Sequence, residues 1–231
     1  MSDKPATTTE GTPRQWRNLA LLALAELLGL TLWFSSSAVT PAIKADWGLS
    51  AGAVAWLVMA VQIGFVVGTF LSGVLNLPDV ISARKLFAIS AGLGALSNAG
   101  FALMADGLAA GIAFRLATGI FLAGVYPPGM KLATTWTARR RGLAVGMIVG
   151  ALTIGSASPH LVRSLVTFEW PQVVLVSSVL ATAGGFIVVQ FVEEGPFAAG
   201  SARLDPGFLL RLLRDRSLRL ANLGYLGHMW E

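Results

Sequence analysis

The chain has no cysteine, and its 231 residues include two histidines, His160 and His228. Disulfides, thiolate nucleophiles and cysteine metal sites are therefore excluded, and two histidines do not complete a metal site alone. Charge is scarce as well. Asp, Glu, Lys and Arg supply 13% of the residues, against about 25% in a soluble domain. The net charge of +5 is not spread along a basic stripe with interleaved aromatics, which argues against nucleic acid. No nucleophile or metal-ligand constellation points to an enzyme, and no cofactor is expected.

What the chain has instead is apolar length. Hydrophobic residues make up 55% and fall into six runs, at 19–40, 52–77, 86–105, 108–135, 142–163 and 171–192. Each is long enough to cross a hydrocarbon core of ~30 Å as a helix. Helices are the only option, because lipid leaves no partner for an open backbone. The fold class expected is an all-α membrane protein with a bundle of six transmembrane helices. Residues 1–18 read as a cytoplasmic tail, 19–192 as the bundle, 193–218 as a cytoplasmic linker and 219–231 as the start of a truncated seventh helix. Within the linker, the basic, Leu-rich stretch from Phe208 to Leu220 suits either a helix lying on the membrane lipid or a solvated connector.

The basic residues set the orientation. Lys4, Arg14, Arg17, Arg84, Lys85, Arg139 to Arg141 and the linker arginines all lie on one side, and only Lys44 and Arg163 on the other. By the excess of Lys and Arg in cytoplasmic loops, both ends of the bundle face the cytoplasm. A multi-pass protein of the plasma (bacterial inner) membrane follows.

Ionisable groups inside a span cost free energy and mark function. Glu26, Arg115 and Lys131 are the three. Counting from the loops puts Glu26 and Lys131 at matching depth, ~12 Å in. They are expected to face each other, with Arg115 outside the pair. Glu26 would take up and release a proton with Lys131 beside it, or form a static pair that fixes packing. Arg115 would hold backbone carbonyls or an anionic solute. Trp33, Ser35 to Ser37, Gln62 and Tyr126 complete the candidates for the cavity. Pro127-Pro128 removes two backbone donors and predicts a kink near Tyr126, a frequent mark of a substrate site. Small residues recur every four positions at Gly64, Gly68 and Ser72 and at Gly142, Gly146 and Gly150, which lets helices approach closely. A short echo, Pro41 to Lys44 against Pro128 to Lys131, suits an inverted repeat of three plus three helices.

Arg115 to Gly124 with Arg115-Leu-Ala-Thr-Gly119, followed by Trp136 and Arg141-Gly142, resembles the Arg-x-x-x-Gly motif and basic turn of the major facilitator superfamily. After the second run, Gly73 to Asp79 with Arg84-Lys85 resembles that superfamily's gating loop, with the acid two residues late and the second glycine absent. The whole is most similar to the nitrate/nitrite or cyanate permease-like branch, although the second helix has no arginine. The resemblance implies a secondary active transporter of a small solute, an organic or inorganic anion being one option, working by alternating access with a coupling proton. It implies Asp79, Arg84, Arg139, Arg140 and Arg141 as gating residues. It also implies that this chain is the N-terminal half of the fold, its partner being the missing C-terminal half. The competing expectation is a non-transporting six-helix protein, a sensor or assembly partner, acting as a homodimer.

Overall fold

The computed structural model describes residues 10–165, 169–198, 214–217 and 219–220, without the side chains of 78–79 and 158–165. Among them every regular element is a helix. The chain divides into two units, Met1–Ala199 and Gly200–Glu231. In the second unit, Arg214, Arg216 and Arg219 are exposed, as is Leu220. Most of the expected surface helix, and all of the expected seventh-helix start beyond Leu220, lie outside the described residues.

In the first unit, α1 runs Pro13–Asp46. Thr12 starts it by accepting a bond from the Gln15 amide at 3.3 Å, with Pro13 in the first turn, where a missing N–H costs nothing. Its 34 residues reach ~51 Å, so it projects beyond an apolar core of ~30 Å. Next come α2 (Ala51–Val74), the single turn α3 (Leu77–Val80) and α4 (Ala83–Met104). Asn76, before α3, has φ of 50°, a left-handed conformation that asparagine tolerates better than most residues.

The fourth run is two helices. α5 spans Leu108–Leu122 and α6 spans Tyr126–Thr135. Tight turns from Gly124 N–H to Phe121 O and Val125 N–H to Leu122 O join them. The cause is Pro127-Pro128, which cannot donate to the preceding turn, so the expected kink is a full break. α7 follows (Arg141–Leu165), then α8 (Trp170–Phe191), whose start carries a reciprocal Glu169–Gln172 capping box. Among the described residues, five stretches are long and apolar enough to span a membrane: α1, α2, α4, α5 with α6, and α8. In α7 the apolar helix among described residues is shorter, Arg141–Ala157.

Glycine contacts decide how the helices meet. A β-carbon on Gly64 or Gly119 would collide with backbone oxygen of the facing helix, Leu116 O or Val61 O, so α2 and α5 touch backbone to backbone. Gly184 brings α8 onto Ala25 of α1, and Gly185 brings it onto Ala88 of α4. Gly142, Gly146 and Gly150 meet nothing; the same spacing on α7 leaves an open face.

Leu22, Leu32, Phe87, Leu122, Leu132 and Ile148 belong to the main core. A second cluster, with Ile43, Leu57, Phe101 and Val174, fills the opposite end beneath Trp47 and Trp170, whose rings meet edge to face at 5.7 Å.

Candidate functional site

Arg115 on α5 is completely buried, yet among the described residues no carboxylate meets it. Its guanidinium donates to Leu32 O (3.0 Å), Trp33 O (3.1 Å) and Asn98 Oδ1 (3.0 Å). It also lies 5.9 Å above the Phe101 ring. Asn98, on α4, donates in turn to Val174 O and Ser178 Oγ of α8, both at 3.0 Å. Four helices are thus pinned by one side-chain fork and one amide. A charge taken out of water needs such partners. Of the two roles expected for Arg115, the geometry matches the one holding carbonyls. Asn98 was not anticipated: the amide singled out in an apolar run was Gln62, which is exposed, while Asn98 is buried.

Glu26 on α1 is also completely buried, and neither carboxylate oxygen has a hydrogen-bond partner. Contrary to the expectation from depth counting, it does not face Lys131. It lies against Gly129, where a β-carbon would run into Oε1. Lys131 is exposed and forms no ion pair with it. Depth counting comes within two residues, but two residues on a helix turn the side chain by ~200°, so Gly129 and Lys131 point in opposite directions. As expected, Arg115 is not the partner of Glu26; it grips α1 about two turns further along.

Trp33 is half-buried and packs edge-on against Phe65 at 5.0 Å. It shares a face of α1 with Glu26 and Ser37, at spacings of seven and four residues. Ser35 donates to Leu32 O at 3.2 Å, Ser36 is buried with its Oγ unbonded, and Ser37 is exposed. Tyr126 is half-buried at the start of α6. Gln62 is exposed on α2.

Of the gating candidates, Arg84 donates to Val188 O at 3.4 Å and to Val189 O, tying the start of α4 to the end of α8. The Asp79 side chain lies outside those described. Arg139 to Arg141 are exposed. The acid beside them is Glu10, which accepts from the amides of Ala138 and Arg139; those bonds hold its carboxyl below the ordinary 4.5.

Beside it lies a cluster that the sequence did not reveal. Glu193 accepts from Arg14 Nε (2.8 Å) and Arg17 (2.9 Å), and the Arg14 bond above all holds its carboxyl below 4.5. Its backbone accepts from Trp136 Nε1 at 2.9 Å and donates to Asn18 at 2.7 Å. Gln15 donates to Trp136 O at 2.8 Å. Gly195 and Phe197 donate to Thr135 Oγ1 and Thr135 O. The start of α1, the α6–α7 turn and the segment after α8 are thereby latched together. The adjacent acids Glu193-Glu194 in an acid-poor chain were the available signal.

A bundle of apolar helices is the arrangement that the comparisons find again. The chain superposes on the proton:xylose symporter XylE of the major facilitator superfamily, solved with 6-bromo-6-deoxy-D-glucose, at a TM-score of 0.65 and 17% identity. The match covers 78% of this chain and 45% of that one, so this chain spans less than half the length of the symporter. At that identity the likeness is one of fold. No curated protein matches. The model of the Major Facilitator Superfamily matches residues 21–227, nearly the whole chain, and the protein belongs to that family of membrane transporters.

Proposed function

We propose that the chain is one half of a secondary active transporter that couples movement of a small solute to a proton, with Glu26 as the proton carrier. The observation that carries this reading is the state of Glu26: buried, on the face of α1 that holds Trp33 and Ser37, and bonded to nothing. Such a carboxyl can gain or lose a proton without breaking an ion pair. Arg115 is committed to carbonyls and serves packing. Lys131, exposed on α6, is the cation we assign to an anionic solute, in keeping with the expected nitrate- or cyanate-type chemistry. Trp33, Ser36 and Tyr126 would line the path. A second six-helix half closes it, the two halves rocking about the site. The N-terminus faces the cytoplasm, where the latch around Glu193 gathers Arg14 and Arg17.

The test is transport by the complete transporter in proteoliposomes. Glu26→Gln is expected to abolish accumulation driven by a proton gradient while leaving solute exchange measurable. Gradient-driven accumulation at the wild-type level in that variant would remove Glu26 from the mechanism.

A further inference from the structure

The face of α4 and α8 that points away from Trp33 and Ser37 carries a feature that transport does not use. α8 packs on α1 through Gly184 at Ala25 and through Thr31, which donates to Ser177 O. That is a different side of α1 from Trp33 and Ser37, so a second half closing over those residues leaves α4 and α8 facing lipid.

On α4, Lys85, Ile89, Gly92, Leu96 and Ala99 fall on one stripe, spaced alternately by four and three residues. On α8, Leu175, Val179, Thr182, Phe186 and Val189 follow the same spacing. The helices run antiparallel, because Arg84 at the start of α4 bonds to carbonyls at the end of α8. Gly92 and Ala99 of α4 and Thr182 and Ala183 of α8 line a furrow of about 760 Å³, walled by Leu96, Leu175, Val179 and Phe186. Leu96 and Val179 are each 69% exposed. One turn beyond Phe186 and Ile89, at the basic end of the same two helices, lies a second, separate pocket of about 340 Å³, the mouth, lined by Ser82, Arg84, Lys85, Val189 and Glu194. Two cations and one carboxylate give it a net positive charge.

We propose that this furrow holds one anionic phospholipid of the leaflet at that end. One acyl chain lies between α4 and α8, the phosphate sits at Lys85 and Arg84, and the headgroup hydroxyls donate to Glu194. The dimensions agree. From Lys85 to Ala99 the stripe rises ~21 Å, which takes a chain from the headgroup level through one leaflet of ~15 Å and just past its midplane. A net negative headgroup complements a net positive mouth; a zwitterionic choline headgroup carries no net charge and no hydroxyl for Glu194. The inference rests on the membrane placement alone, and its failure would leave the solute site untouched.

Native mass spectrometry of the detergent-purified protein with added phosphatidylglycerol or phosphatidylcholine tests it. The wild type is expected to retain one phosphatidylglycerol in preference to phosphatidylcholine. Lys85→Gln should reduce that preference about fivefold, the effect of one basic residue near an anionic surface. A β-carbon on Gly92 meets no protein atom, so Gly92→Leu should fill the furrow and expel both lipids without shifting the melting temperature. Val179→Trp fills it from the other wall and serves if Gly92→Leu folds poorly. Equal retention of the two lipids by the wild type overturns the proposal. So does undiminished phosphatidylglycerol in Lys85→Gln, or in both filled variants.

Discussion

At the residue scale, the two buried charges are held in opposite ways. Arg115 satisfies three acceptors on two helices with one planar fork. A lysine presents a single ammonium and does not reproduce that geometry. Arg115→Lys and Arg115→Ala are both expected to lower stability, by about 2–4 kcal/mol, because carbonyls and an amide are left unpaired. Thermal unfolding in detergent measures this, and a melting temperature unchanged in Arg115→Lys would show that the fork does not matter. Glu26 is held by shape. Gly129→Ala should drive a β-carbon into its carboxyl and cost about 1–3 kcal/mol, and the cost should largely vanish in a Glu26→Ala background. If the two losses simply add, the contact is not the cause. Arg115 and Glu26 were legible because a charge inside an apolar run stands out. Gly129 was not, because a glycine in a glycine-rich membrane chain has many reasons to be there.

At the scale of elements, the latch carries its own pH dependence. The folded state holds Glu193 below its ordinary 4.5, chiefly through Arg14. A depressed carboxylate contributes stability above its unfolded value and loses it as pH falls through the folded one. The latch should therefore be constant near neutrality and release only below about pH 4.5. A nitroxide attached through Ala198→Cys, in a chain with no other cysteine, reports the release as faster motion. Glu193→Gln should show that faster motion already at pH 7; an immobile label in that variant would mean that the backbone bonds to Thr135 suffice. The glycine stripes teach a second lesson at this scale. Gly64 and Gly68 of α2 and Gly142, Gly146 and Gly150 of α7 read alike in sequence. The first pair meets backbone and the second group meets nothing. Spacing tells which residues share a face, but not what lies opposite.

At the scale of the whole molecule, the spans were legible and their inward faces were not. Lipid tolerates no unpaired backbone, so apolar length alone announces helices. The interior and exterior of a membrane bundle are about equally apolar, so the same runs give little sign of which side is buried. Asn98 and Ser178 sit inside, while Phe70 and Leu103 remain exposed.

The broken span has an electrostatic consequence. Each half of it ends in the middle of the bundle, and the amino end of α6 carries the partial positive charge of a helix macrodipole, equivalent to ~0.5 elementary charge. Gly129, against which Glu26 rests, belongs to that first turn. A negative charge on Glu26 would thus lie beside the positive end of that dipole with no hydrogen bond from it, and among the described residues no cationic side chain pairs with it.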